Sequence, residues 1–417
     1  MSEYHITEIG LLPSGTYSAA SAVNLQGDVV GWADTVIGGG NAPVEHAFYR
    51  KNKTGQMTDL HLLNPKLSEG SGRALDINES GKVVGSAAGL GPLERAFLWD
   101  PATGIHDMGA LQYEGPVPYS SMAHAINDLD IVVGSSSGPG KPLDGHATYW
   151  FGNQMLDVTK PGPKPRPILS WANDINSSGQ VAGIGFFDDH SGNVSGFSWM
   201  LGSDVIDLNP GGSLDMEANG INNAGLIVGR IGVHAMLFLP WFGPLDLFPN
   251  GPISNTFDIN DAWQMTGQAI FKPGEPFHAS LLEPWMGLVD LNTKVDNPAG
   301  WELTTAVGLS NDGEYIVGNG QHDGQARGFL LSKLTPTFHQ TQYEYGNLGL
   351  IPSDGPRVIG PLGGGGDPGP DPLAVAFRVL QNARAVSGKA RSELLKIAQN
   401  LFSSGLESIE NEGKGRK

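Results

Sequence analysis

The chain has 417 residues, among them 60 Gly, 29 Pro and no Cys, and a formal net charge of −18. Without Cys there is no disulfide framework, thiolate metal site or thiol nucleophile, and the acidity argues against a broad nucleic-acid surface. No window has the unbroken apolar length of a membrane span, and Met1 to Thr7 lacks the basic start and apolar run of a signal peptide.

The first predicted element is a strand, Ile6-Thr7-Glu8-Ile9-Gly10-Leu11, with an acid between apolar residues. Behind it a nine-residue pattern recurs: an apolar residue, Asn, two turn residues, Gly, a spacer, two apolar residues and Gly, as in Ile77-Asn78-Glu79-Ser80-Gly81-Lys82-Val83-Val84-Gly85. Seven copies begin at Val23, Ile77, Ile126, Ile175, Ile221, Ile259 and Leu309, in steps of 38 to 54 residues. Each reads as a tight hairpin, because Asn caps a turn with its side chain and Gly tolerates the left-handed conformation. Asp76-Ile77-Asn78, Asp174-Ile175-Asn176 and Asp258-Ile259-Asn260 also begin like a calcium loop. No copy supplies the closing acid such a loop needs, so the turn is preferred and no cofactor is expected, with calcium only weakly supported.

Each period holds four strands, most plainly Arg73 to Asn78, Lys82 to Ala87, Arg95 to Trp99 and Ile105 to Leu111. The third strand repeats His46-Ala47-Phe48, with His146, His234 and His278 in the place of His46 and Arg95 and Arg327 as other bases. The fourth repeats an acid, at Asp59, Asp107, Asp157, Asp207, Asp246 and Asp290. Base and acid lie 11 to 13 residues apart across a turn, so they are expected to pair on adjacent strands rather than to ligate a metal. Trp99, Trp150 and Trp199 are expected to pack between units.

The seventh fourth-strand acid is missing from its repeat, and Glu8 in the N-terminal strand supplies it. A fixed period of this size with four strands per unit predicts an all-β fold, a seven-bladed β-propeller over 1–332 closed by that strand, with Arg327 facing Glu8. Residues 343–352 resemble 9–14 and compete for the closing position. The Asn-x-x-Gly-x-Val-Val-Gly hairpin, His46-Ala47-Phe48 and the opening Tyr4-His5-Ile6-Thr7-Glu8-Ile9-Gly10 resemble the HAF repeat family of bacterial extracellular proteins, over roughly residues 4 to 332. The resemblance implies propeller architecture and an extracellular location, which the N-terminus does not itself support.

Residues 333–371, rich in Gly and Pro, read as a linker. Residues 372–417 read as an amphipathic α-helical tail, capped by Asp371 and Pro372, with Leu373, Val375, Phe377, Leu380, Leu394, Leu395, Leu401 and Phe402 as its stripe. That tail holds eight Lys or Arg against four Glu, so the rest of the chain carries −22. Docking on its own propeller, on another copy or on an acidic partner is expected of it.

Chain direction puts the first-to-second and third-to-fourth turns on one face and the longer connections on the other. Binding is expected on the long-loop face, where the candidates are Trp32, Tyr113, Tyr119, Trp171, Phe187, Asp188, Asp189, His190 and Trp301. No phosphate loop, His-Glu-x-x-His or nucleophile elbow occurs. The expected function is therefore non-enzymatic binding of a protein or glycan, with no catalytic or metal-ligating residue assigned. The alternative is a polysaccharide lyase or hydrolase with His124, Asn173, Asn219 and Glu217 converging on the central channel.

Overall fold

The computed structural model describes residues 2–334 apart from 37–41, 68–69, 92, 112–118, 138–144, 153, 160–166, 188–192, 211, 241–242, 249–250 and 284–286. Seven sheets stand around a central channel as a seven-bladed β-propeller, six of them made of four antiparallel strands paired in chain order and the seventh of five strands. Blade 2 shows the unit: Gly72–Ile77, Val83–Ala87, Arg95–Asp100 and Gly104–Asp107. Its fourth strand stops at Asp107, not at Leu111. There the Asp107 carboxylate accepts the Gly109 N–H at 2.8 Å and turns the chain out of the ladder.

The ring is closed by the chain's beginning. Tyr4–Glu8 pairs antiparallel with Gln325–Lys333 as the outer strand of blade 7, with Glu8 opposite Phe329. Arg327 Nε donates to Glu8 at 3.0 Å, as the repeat logic requires. The outer edge of that strand is further covered by Val295–Asp296, which pairs with it in parallel. That stretch lies within the long connection from blade 6 to blade 7. It becomes a strand because an exposed edge offers unpaired backbone groups, here taken up by Lys294 O and the Asp296 carboxylate. The competing segment 343–352, the tail 372–417 and all of the linker beyond Leu334 lie outside the described residues.

There is no single core. Each apolar cluster is built from the facing surfaces of two neighbouring blades: Val30, Ala47, Leu60 and Leu67 of blade 1, for example, pack against Ala74, Ile77, Val83, Phe97 and Trp99 of blade 2. The aromatic of the third-strand signature is the most buried member, with Phe48, Phe97, Phe197 and Phe329 fully enclosed. The repeating tryptophans are buried between blades, Trp99 against Tyr49 and Trp199 against Tyr149, with ring centres 5.2 and 5.3 Å apart. Trp150 donates across the same kind of junction to Met108 O at 3.1 Å.

The repeat asparagine does two things at once. Its Oδ1 accepts the N–H groups two and four residues on, closing the turn, as Asn127 does with Leu129 and Ile131 at 3.0 and 3.1 Å. Its Nδ2 donates to the backbone carbonyl of the next blade's asparagine. Such bonds link Asn24 to Asn78, Asn78 to Asn127, Asn127 to Asn176, Asn176 to Asn222 and Asn222 to Asn260, at 3.0–3.4 Å. The chain of links stops at blade 6, where the Asn260 Nδ2 donates to Gln264 Oε1 at 2.8 Å within its own turn, and in blade 7 Ser310 replaces Asn and turns to Asp312. Where the turn lacks Gly, Asp130 and Trp263 take the left-handed conformation themselves, at φ 59° and 66°.

Candidate functional site

The innermost strand of every blade carries an irregularity of register two residues before the repeat apolar-Asn pair, for instance between Ala123 and Ala125. A bulge re-aims one side chain. The bulged residues Ser21, Leu75, His124, Asn173, Asn219, Phe257 and Val307 all line a channel cavity of about 250 Å³. The channel wall is uneven: polar through blades 3, 4 and 5, apolar at blades 6 and 7.

Most of those polar side chains are committed to the ring. His124 Nδ1 donates to Ala172 O at 2.8 Å, Asn173 Nδ2 to Ala218 O at 2.9 Å, Asn219 Nδ2 to Thr256 O at 2.9 Å and Ser21 Oγ to Ala74 O at 2.8 Å. Each reaches the next blade. Glu217, the fourth residue expected at the channel, instead binds Arg230 within its own blade.

Below the bulges stands a tier of three carboxyls, Asp76, Asp174 and Asp258, from blades 2, 4 and 6. One oxygen of each accepts the N–H of the following residue at 2.7–2.8 Å. The other accepts from the next blade, from Ile126, Ile221 and Leu309 at 2.7–3.0 Å. Their counterparts in the remaining blades are Ala22, Ala125, Gly220 and Gly308, which carry no polar side chain. Burial pushes Asp76 up to about 7, against the hydrogen bonds that favour its ionised form. Asp174 is also raised by burial and by the charges of Asp258 and Asp76, and Asp258 is raised by burial. The carboxylate and amide of each Asp-x-Asn triplet point to different tasks, the Asp to the channel junction and the Asn to the turn. Among the described residues no three His, Asp or Glu side chains converge as a metal-binding group.

The base–acid pairs of the third and fourth strands form as expected at His46–Asp59 (2.8 Å), His234–Asp246 (3.0 Å) and His278–Asp290 (2.8 Å), with His146–Asp157 longer at 3.4 Å. The geometry is diagonal, not directly opposite: each acid faces the third residue of the His-Ala-Phe triplet, and the base reaches back two positions. In blade 2 Asp107 likewise faces Phe97, but the buried Arg95 Nε has no hydrogen-bond partner. The acid has a second duty the spacing did not reveal. In all six blades one of its oxygens accepts the N–H two residues on, at 2.8–3.0 Å, ending the blade.

On the long-loop face the expected residues separate. Trp301 of blade 7 stacks on His322, ring centres 4.6 Å apart and 4° from parallel, and His322 Nδ1 donates to Glu8 at 2.7 Å. Glu8 also holds Arg327, whose guanidinium donates to Thr16 O at 2.6 Å. The neighbouring Tyr17 hydroxyl bonds Glu45, Glu45 pairs with Arg73 at 2.6 Å, and the Arg73 guanidinium lies 4.8 Å from the Trp32 ring centre. Trp301 and Trp32 thus mark the two ends of one bonded arc over blades 7, 1 and 2. Burial and Glu45 raise the Tyr17 hydroxyl far above its ordinary value, so it stays a donor.

Trp171 stands apart on blade 4, edge-on to Phe186. Tyr119 and Phe187 are buried, Phe187 in the cluster shared by blades 3 and 4. Tyr113, Asp188, Asp189 and His190 lie outside the described residues. Sequence reasoning missed His322, Glu45, Tyr17 and Arg73, since they fall off the repeat positions. It had one available signal, that the first blade alone has Trp beside its second-strand Gly.

No family model matches the chain, and no curated protein does. Among solved structures it is similar to the β-propeller domain of the Trilobed protease from Pyrococcus furiosus, at 10% identity and a TM-score of 0.43, over 80% of this chain and 98% of that one. It is similar to virginiamycin B lyase from Staphylococcus aureus at 10% identity and a TM-score of 0.43, over 80% of this chain and 100% of that one. It is also similar to a gluconolactonase from Xanthomonas campestris at 10% identity and a TM-score of 0.34, over 64% and 91% of the two chains.

Proposed function

We propose that this chain is a binding propeller, of the HAF repeat kind, that takes a glycan or a protein on its long-loop face without chemical turnover. The observation that carries this is the arc from Trp301 to Trp32, where two half-buried indoles flank carboxylate, guanidinium and hydroxyl groups already oriented by one another. Aromatic faces with fixed polar groups beside them are what a sugar or a peptide side chain needs, and pre-orientation lowers the entropy lost on binding. By contrast, Asn173, Asn219 and the channel carboxyls are engaged with neighbouring blades, as is His124 Nδ1.

The test is retention on arrayed bacterial and plant polysaccharides and on immobilised peptides, comparing the intact chain with Trp32→Ala/Trp301→Ala. At least a tenfold loss of retention in that variant, with unchanged melting temperature, is the expected result. Equal retention would remove the long-loop face as the site.

One feature favours a second reading, a channel enzyme: Asp76 is raised to about 7, the range where a carboxyl can donate and recover a proton. New reducing ends or unsaturated products released from any of the polysaccharides, and lost in Asp174→Asn, would establish it in place of the binding role.

A further inference from the structure

The last described residues leave the propeller on its short-turn face. Lys333 N donates to Glu314 O and Leu334 N to Glu3 O, both at 2.8 Å, at the lower end of blade 7. Beyond them the sequence continues for 38 residues of linker, 334 to 371, and then the 30-residue stretch 373–402, with five Lys or Arg, a single Glu and an apolar stripe. A random coil of 38 residues has a root-mean-square span of about 34 Å. Two blades of four strands at roughly 4.8 Å spacing, set across a channel, make a ring on the order of 40 Å wide. The basic stretch therefore reaches every part of the face from which the chain departs.

That face is not uniform. In blade 3 Leu129 and Phe151, and in blade 4 Met200, Leu201 and Ile206, are 42–61% exposed on short turns or strand ends of adjacent blades. The acids Asp128 and Asp204 stand among them, exposed, beside Asp130, whose carboxylate is paired with Lys82 of blade 2 at 2.7 Å. No Lys or Arg occurs in the short turns of blades 3 to 6, whereas those of blades 1 and 2 carry Lys51, Lys53 and Lys82. Between lies the lower channel mouth, a cavity of about 210 Å³ lined by Glu79 and Asp128 among others. Burial raises Glu79 above its ordinary range, and the nearby Asp128 and Asp312 carboxylates add to that, the mark of unneutralised negative charge.

We propose that residues 373–402 of the same chain dock, apolar stripe inward, on the short-turn face of blades 3 and 4, over Leu129, Phe151, Met200, Leu201 and Ile206. The apolar rim meets the Leu and Phe positions of the segment, and the surrounding carboxylates meet Arg378, Arg384, Lys389, Arg391 and Lys396. Blades 1 and 2 are disfavoured by their own lysines. The assignment is independent of the long-loop site, which lies on the opposite face.

Hydrogen–deuterium exchange on the full chain tests it. The amides of 373–402 are expected to exchange at least about tenfold more slowly than in a free peptide of that sequence, and to lose this protection in Phe151→Asp/Leu201→Asp. They are also expected to lose it in Arg391→Glu/Lys396→Glu, a tail-side change that leaves the propeller's own contacts untouched and so stands if the first variant fails to fold. Absence of protection in the unaltered chain overturns the proposal, as does protection that survives the tail-side change. Protection that grows with protein concentration alongside a dimer in sedimentation assigns the face to a second copy and overturns it as well.

Discussion

The Asn127 side chain makes three hydrogen bonds, two holding its own turn and one crossing to blade 4, and those to Ile131 and Asn176 are buried. Replacing it by Ala leaves buried N–H and C=O groups without partners, which costs about 1–3 kcal/mol per unsatisfied group. Asn127→Ala is therefore expected to lower stability by roughly 2–4 kcal/mol in urea unfolding. Leu62→Ala, exposed and away from the short-turn face, should change it by less than about 0.5 kcal/mol.

The channel carboxyls give a pH signature at the same scale. Asp76 has a folded pKa of about 7 against an ordinary value near 3.8, so the native state holds its proton more tightly than the unfolded chain does. For such an acid the stabilising contribution is complete below about pH 4 and is lost as pH rises toward 7. Asp76→Asn is expected to gain on the unaltered chain by on the order of 1–3 kcal/mol between pH 4.5 and 7.5, discounted because the channel is open to water. Unfolding midpoints of both proteins across that range supply the check, and parallel curves would count against the buried acid. His61 works in the opposite sense: burial, then its stacked neighbour His46, lowers its pKa. Its contribution is present above about pH 6.5 and lost as pH falls.

At the scale of the element, the decisive strand is Tyr4–Glu8. It satisfies the outer edge of the third strand of blade 7, and its Tyr4 and Ile6 are buried in the cluster that joins blades 6 and 7. Deleting residues 2–8 exposes that edge and opens the cluster. The expected outcome is a fall in melting temperature of at least about 10 °C, with concentration-dependent aggregation in light scattering. Glu8→Gln keeps the strand but weakens the ties to Arg327 and His322, and should cost only about 1 kcal/mol.

The same scale shows why some features were legible and others not. The turn recurs seven times, the fourth-strand acid six, the base–acid spacing five and the buried aromatic four, so chance agreement is small and each copy vouches for the rest. The Glu8–Arg327 contact followed because a missing seventh acid had one substitute in the chain. The channel position of His124, Asn173 and Asn219 followed from their innermost strands, but the bulge that aims them leaves no such trace, since no residue type is common to the seven bulged positions from Ser21 to Val307. Nor does the inter-blade half of the asparagine's work, because its partner is a backbone carbonyl, which every residue has.

For the molecule as a whole, the charge divides as −22 and +4 between residues 1–371 and 372–417. Attraction between the two parts weakens with ionic strength, and raising salt from about 0.05 to 0.5 M should therefore speed exchange in the tail while the blade amides are unaffected. Periodicity and the count of strand motifs determined the number of blades, the closing strand and the face on which each loop lies, because a repeat that cannot bury its apolar surfaces alone must stack with copies of itself. Only the tertiary structure decided which side chains of different blades meet: that Trp301 and Trp32 end one arc while Trp171 stands across the ring, and that three aspartates share one channel. Those contacts join residues of different blades, at distances set by how the ring closes rather than by any local spacing.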